Sequence, residues 1–240
     1  MLISRRDFLK YACASATALG LGGTHLTRLA EVFASSSSPP VIWLSGSSCT
    51  GCSVSLLNAV NPTIDEVLLN AISLRYHPNL MAAAGDLAVQ SARSTQQAGS
   101  YVLVVEGAIP TQGGGKYCYV WDEGGRAVTM AEAVQSLAAT AQHVVAVGAC
   151  ASFGGIPAKY APTGAVGLGA FQGRSVVNLP GCPAHPDWIV GSLVQLLSGQ
   201  TPALDGNGRP RAYYPSESIH ERCPREDWDD DERDGAGSSD

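Results

Sequence analysis

Charged side chains are scarce in this sequence, at 15% of its 240 residues, and 21 acidic residues outnumber the 15 lysines and arginines. A nucleic-acid partner requires basic patches on the protein surface, so this balance argues against one. Global disorder is also excluded, because 45% of the residues are hydrophobic and a chain of this length can bury a sizeable core.

Phosphate-binding loops are missing as well. The segment GGGKY has Tyr117 where a P-loop requires Ser or Thr, and Pro110 stands where the first glycine of that motif would be. A second glycine-rich segment, residues 164–173, has Gln172 in place of the last glycine of a dinucleotide-binding fingerprint. The sequence therefore indicates no nucleotide.

The apolar segment near the N-terminus, residues 11–23, is too short for a transmembrane helix, which needs about 20 apolar residues. It follows a twin-arginine pattern, SRRDFLK, at residues 4–10. Together these features predict a twin-arginine signal peptide over residues 1–34 and a linker over residues 35–40. Because this pathway exports folded proteins, we expect a periplasmic protein that already carries its cofactor. Membrane association is left open.

The seven cysteines are odd in number, which argues against a framework made only of disulfides. Cys13 lies inside the predicted signal peptide and would leave with it. The remaining cysteines favour metal or redox chemistry.

Three short apolar segments rich in valine or isoleucine end in cysteine, and a fourth ends on Glu106 and Gly107. None of them alternates between apolar and polar residues, which is typical of strands buried on both faces of a parallel sheet. Helix-compatible stretches separate them, so the order predicts an open parallel α/β sheet with helices on both faces. The strand segments are residues 41–49, 101–107, 143–150 and 175–182, and the helical stretches are residues 53–60, 80–92 and 130–141.

Sites in such sheets form outside the carboxyl ends of the strands, where Cys49, Cys52, Cys150 and Cys182 would meet. We interpret these four thiols as one set of metal ligands; packed core cysteines or a redox dithiol are the alternatives. Tetrathiolate zinc usually uses two C-x-x-C pairs, whereas this chain has one pair and two isolated cysteines. The glycine-rich loops can also offer N–H groups to cluster sulfurs, so an iron-sulfur cluster is favoured over zinc.

Several longer motifs resemble one family, the small, electron-transferring subunits of periplasmic nickel-iron hydrogenases. CTGCSV and HPDWIVG are similar to the nickel-iron-selenium branch in particular. The motifs that carry the resemblance are SRRDFLK, CTGCSVSLLN, ISLRYHP, VEGAIP, GKYC, VGACASFGGIPA, PTGA and NLPGCPAHPDWIVG.

This resemblance implies a flavodoxin-like domain over residues 41–205 that holds a proximal 4Fe-4S cluster through Cys49, Cys52, Cys150 and Cys182. The cluster would face the nickel-iron centre of a separate large subunit, in a heterodimer that oxidises hydrogen or reduces protons. This chain would contain no catalytic residue and no nickel, and would pass electrons to an acceptor such as a c-type cytochrome. The alternatives are the cluster-binding subunit of a quinone-reducing complex and a tetrathiolate zinc protein.

Other residues receive weaker expectations. Glu106 could carry protons or contact the partner, or could be a polar residue that closes a strand edge. We expect His185 to be a hydrogen-bonding loop residue and Cys118 to be a packed thiol. Trp43 and Trp188 are expected to pack around the cluster or at the subunit interface.

The family pattern breaks near the end of the chain. Residues 206–224 resemble the start of a C-terminal cluster domain, in which His220 and Cys223 form part of a distal-cluster ligand set. No cysteine follows, and residues 225–240 form an acid-rich segment that we expect to be disordered.

Ligands for the family's medial and distal clusters are thus incomplete, and we expect one complete cluster. Three explanations stay open: a truncated or frameshifted gene, which we favour, a gene split between two chains, or a natural single-cluster variant.

Overall fold

The computed structural model describes residues 39–60, 62–218 and 220–223. The predicted signal peptide, four of the six linker residues and the acid-rich segment lie outside these ranges. Within them, no helix combines the length and the apolar character needed to cross a membrane.

Five parallel strands form the central sheet, in the order β2-β1-β3-β6-β7, and β4 and β5 form a separate antiparallel hairpin. The strands are β1 (Pro40–Ser45), β2 (Ser73–Tyr76), β3 (Val102–Glu106), β4 (Tyr119–Glu123), β5 (Arg126–Thr129), β6 (His143–Val147) and β7 (Val177–Leu179).

Helices connect the parallel strands, as right-handed crossovers in such sheets require. The α-helices are α1 (Gly51–Leu57), α2 (Ile64–Glu66), α3 (Asp86–Ala98), α4 (Met130–Ala138), α5 (Gly148–Phe153), α6 (Leu168–Gln172) and α7 (Pro186–Leu197). A π-helical turn (Val67–Ala71) extends α2, and short 3-10 segments are Gln112–Gly115, Pro157–Lys159 and Ala161–Thr163.

The central strands are buried because each face of the sheet has its own apolar core. On β3, Val102 and Val104 belong to the core that α1 and α7 cover, whereas Leu103 and Val105 belong to the core under α3 and α4. Successive side chains of a strand point to opposite faces, so a strand covered on both faces needs a continuous apolar run. The open parallel α/β architecture predicted from such runs is confirmed.

The carboxyl ends of four strands are aligned in register. Ser45 pairs with Glu106, Glu106 pairs with Val147, and Val147 pairs with Leu179. The loops that leave these four residues therefore begin side by side along one edge of the sheet.

Some elements differ from the sequence expectation. Helix α3 begins at Asp86 instead of residue 80, because Gly85 adopts a left-handed backbone conformation (φ 57°) directly before it. Strand β2 and the β4-β5 hairpin were not predicted. Both contain charged residues and lack the apolar runs that identified the central strands.

The core predicts the cost of truncating a buried side chain. Leu44 on β1 is 0% exposed, so Leu44→Ala should lower the free energy of unfolding by about 2–5 kcal/mol. Leu87 is 68% exposed, and Leu87→Ala should change it by no more than about 0.5 kcal/mol. Urea unfolding followed by far-UV circular dichroism measures both values. Equal losses in the two variants would contradict this assignment of the core.

Candidate metal centre

A cavity of about 130 Å³ lies at the aligned carboxyl edge of the sheet, and all four predicted cysteine ligands line it. They reach it from three separate loops, which follow β1, β6 and β7. Glu106, the last residue of β3, lines the same cavity. The structure therefore brings together the residues that the sequence placed at this edge.

The C-x-x-C pair reaches the cavity through a tight turn into α1. Thr50 precedes the helix in a left-handed conformation (φ 66°), and Cys52 lies in the first helical turn. Cys49 is exposed and Cys52 is buried, with 8% of its surface accessible. A side chain at Gly51 would place its Cβ 3.1 Å from the Cys49 sulfur, so the turn leaves little room beside this thiol.

The other two cysteine loops are tied to each other and to α1. The Ala149 N–H donates to the Gly181 carbonyl (2.8 Å), which joins the loops that carry Cys150 and Cys182. The Ser55 hydroxyl donates to the Ala184 carbonyl (2.6 Å), which joins α1 to the loop after β7. These bonds hold the walls of the cavity together through protein contacts alone.

Two glycines allow the backbone to approach the cysteine sulfurs closely. A Cβ atom at Gly148 would lie 2.5 Å from the Cys52 sulfur, and one at Gly155 would lie 2.8 Å from the Cys150 sulfur. Real Cβ contacts are never this short, and both glycines also have left-handed φ angles, 88° and 53°. Any larger residue would enter the space beside these thiols.

The ionised forms of these cysteines are electrostatically unfavourable next to one another. Burial, followed by the nearby Glu106 carboxylate and the thiols of Cys49 and Cys150, raises the pKa of Cys52 to about 11. Burial likewise raises the pKa of Cys150, with further contributions from Cys182 and Cys49. Four thiolates would repel one another here, so the site favours ligation by a cationic group that binds them as they lose their protons.

Glu106 is buried, with 1% of its surface exposed. Its carboxylate accepts hydrogen bonds from Trp43 Nε1 (3.1 Å), Cys52 N (3.0 Å) and Ser53 N (3.3 Å), and from the Ser53 hydroxyl. Sequence reasoning placed Glu106 at the correct edge but missed these partners. Three of the four donor groups belong to Cys52 and Ser53 in the first turn of α1, whose proximity follows from the β1-β3 register.

The donor set fits an iron-sulfur cluster. Thiolates are the soft ligands that such clusters use, and here they surround a cavity rather than a single point. In the part of the chain that the structure describes, no three His, Cys, Asp or Glu side chains converge closely enough to hold a single metal ion.

Other residues singled out from the sequence are not among the described residues that line this cavity. His185 caps α7, accepting a hydrogen bond from Asp187 N (3.3 Å), and its ring stacks on Trp188. His220 and Cys223 lie in a turn in which Cys223 N donates to the His220 carbonyl (2.9 Å). Neither His220 nor Cys223 is among the described residues that line the cavity.

Cys118 is partly buried against the core under α4, and burial raises the pKa of its thiol. Trp43 is fully packed in the opposite core, with 1% of its surface exposed.

The segment after residue 205 contacts the sheet domain. Asn178 N on β7 donates to the Gly208 carbonyl (2.8 Å). The Tyr214 hydroxyl donates to the Pro180 carbonyl (2.6 Å), in the loop that carries Cys182, and its ring contacts Trp188 edge-on. Sequence reasoning missed this support for the Cys182 loop, because no local pattern links Tyr214 to a strand so far away along the chain.

Comparison with known families agrees with this architecture. Residues 49–196 match the family described as NADH ubiquinone oxidoreductase, 20 Kd subunit. The chain is 41% identical to the periplasmic [NiFeSe] hydrogenase small subunit of Desulfomicrobium baculatum, over 93% of this chain and 78% of that protein. It is 37% identical to the periplasmic [NiFe] hydrogenase small subunit of Solidesulfovibrio fructosivorans, over 93% of this chain and 70% of that one.

Solved structures give the same result. A reduced, active form of the Ni-Fe-Se hydrogenase from Desulfomicrobium baculatum superposes with a TM-score of 0.76 at 43% identity, covering 82% of this chain and 77% of the other. The [NiFeSe] hydrogenase from Desulfovibrio vulgaris Hildenborough superposes with a TM-score of 0.76 at 40% identity, covering 83% and 77%. The chain therefore belongs to the hydrogenase small subunits, within the broader family of the NADH ubiquinone oxidoreductase 20 Kd subunit.

Proposed function

We propose that this chain is the electron-transfer subunit of a heterodimeric hydrogenase and that it holds a proximal 4Fe-4S cluster through Cys49, Cys52, Cys150 and Cys182. The observation that carries the proposal is the meeting of these four thiols around one cavity at the aligned sheet edge. A bound cluster of this kind supplies one-electron transfer. The chain's own residues hold the sulfurs and set the local charge.

The proposed partner is a hydrogenase large subunit, and exposed apolar side chains in the ten residues after Cys150 offer a contact surface for it. Phe153, Ile156 and Tyr160 are 53%, 78% and 64% exposed. The Gly154 N–H also donates to the Cys150 carbonyl (2.8 Å), so the segment that carries these side chains is continuous with the ligand loop. Apolar residues clustered on a surface mark protein-protein contacts.

The remaining parts of the proposal come from the sequence and from family likeness. Export by the twin-arginine pathway would place the protein in the periplasm, where an acceptor such as a c-type cytochrome would receive the electrons. We also propose that residues 206–224 begin a second cluster domain, with His220 and Cys223 as a partial distal set.

The first test is the iron and acid-labile sulfide content of the anaerobically purified chain. We expect about four iron and about four sulfide per chain from the four cysteine ligands, and Cys150→Ala should lose the intact cluster. Visible absorbance and metal analysis measure this content. Zinc without sulfide in the unmodified chain, or full iron in Cys150→Ala, would contradict the ligand assignment.

The glycine beside Cys52 gives a second prediction. Gly148→Ala should lower cluster content at least several-fold, because the added Cβ enters the space of the Cys52 sulfur. Gly173→Ala is the matched control: its φ of 61° is also left-handed, but no atom lies within 4 Å of the added Cβ. Iron per chain compares the two variants. Equal losses would mean that backbone strain, and not the space beside Cys52, explains the requirement for glycine.

The exposed apolar surface gives a third prediction. Ile156→Glu should weaken association with the large subunit at least tenfold, because it places a charge in the centre of the proposed interface. Leu69→Glu is the control, since Leu69 is 73% exposed on the π-helical turn, away from the ligand loops. Co-purification and binding titrations measure the effect. Unchanged binding by Ile156→Glu would remove this surface from the interface.

A further inference from the structure

Behind the C-x-x-C turn, three buried polar side chains form one continuous line of hydrogen bonds. His77, Ser53 and Glu106 are 0%, 1% and 1% exposed. They come from the segment after β2, from α1 and from the end of β3. Buried polar groups are costly unless each has a partner, so a fully paired line of this kind fixes the elements that carry it.

The direction of each bond follows from its donors. Asn79 N donates to His77 Nδ1 (3.1 Å), so the ring proton lies on Nε2, which donates to Ser53 Oγ (3.2 Å). Burial lowers the pKa of His77 to about 4, which keeps this ring neutral at neutral pH. The Ser53 hydroxyl then has its own proton free to donate to Glu106 Oε2.

Glu106 connects this line to the cavity. Its other oxygen accepts the backbone N–H groups of Cys52 and Ser53, which belong to the first turn of α1 and have no partner within the helix. Trp43 Nε1 donates to the carboxylate from the neighbouring strand, and the Trp43 ring packs on His77 with centroids 5.3 Å apart. Every group bonded to the carboxylate is a donor, and the carboxylate itself lines the cavity.

We propose that Glu106, Ser53 and His77 are positioning residues that set the reduction potential of the cluster at this site. Glu106 holds the Cys52 backbone and contributes a fixed negative charge at the cavity wall. Ser53, oriented by His77, offsets part of that charge with its hydroxyl dipole. This inference rests on the proposed function, since it requires a cluster bound by the four cysteines.

The two side chains should act on the potential with opposite signs. A negative charge beside a cluster disfavours the gain of an electron, so Glu106→Gln should shift the midpoint potential upward. Ser53→Ala keeps the backbone N–H but removes the hydroxyl that offsets the carboxylate, so it should shift the potential downward. A purely structural role would not give opposite shifts in the two variants.

A redox titration of the anaerobically purified hydrogenase complex, followed by electron paramagnetic resonance and visible absorbance, tests the inference. Glu66→Gln is the matched control. Glu66 is also a buried carboxylate, 6% exposed, and accepts a backbone N–H from Thr63 (3.0 Å), but it is not among the described residues that line the cavity. Its substitution should leave the potential unchanged.

The inference is overturned if Glu106→Gln or Ser53→Ala has the same potential as Glu66→Gln, or if both shift in one direction. Should Glu106→Gln assemble no cluster, Ser53→Ala alone decides. A potential below that of Glu66→Gln supports the inference, and an equal or higher potential overturns it. Absence of iron and sulfide from the unmodified complex would instead reject the proposed function. The two failures are therefore distinguishable.

Discussion

The register of the parallel sheet is the constraint on which the site depends. Ser45, Glu106, Val147 and Leu179 end their strands in one aligned row. A shift of one residue in any of these pairings would turn the strand's apolar side chains toward the wrong core and move its loop along the edge. The hydrophobic burial that fixes the register on both faces of the sheet therefore also fixes where the cysteine loops start. Stability and ligand geometry are specified by the same contacts.

The cysteine loops hold thiols together at a site where their ionised forms repel one another. The raised pKa values of Cys52 and Cys150 reflect burial first and neighbouring negative groups second. Contacts that involve no metal, such as Ala149 N to the Gly181 carbonyl, hold these thiols near one another. The sheet and its loop contacts therefore contribute to gathering the ligands. Binding of a cationic cluster would relieve the repulsion between the thiolates.

Sequence patterns predicted the strands whose side chains are buried, because burial requires a continuous apolar run. Strands β1, β3 and β6 have side chains in both cores, and all three residues of β7 are buried, so the apolar runs identified these strands and placed the cysteines at one edge. Strand β2 carries the exposed Arg75 and is only partly buried, so it lacks that run. The surroundings of Glu106 could not be predicted either, since its donors lie at least 53 residues away along the chain. Only the tertiary register brings them together.

The cavity has a buried side and an exposed side. On the inner side, the buried carboxylate of Glu106 accepts the backbone N–H of Cys52, whose side chain is also buried. On the outer side, Cys49 and Cys182 are exposed, and so are the apolar residues that follow Cys150. Exposed thiolate ligands leave a cluster open to water and oxidants, which changes its potential and lifetime. An apolar partner surface over the outer side would remove that exposure. On the proposed function, the sheet domain would supply the polar half of the cluster environment, and the large subunit would supply the apolar half.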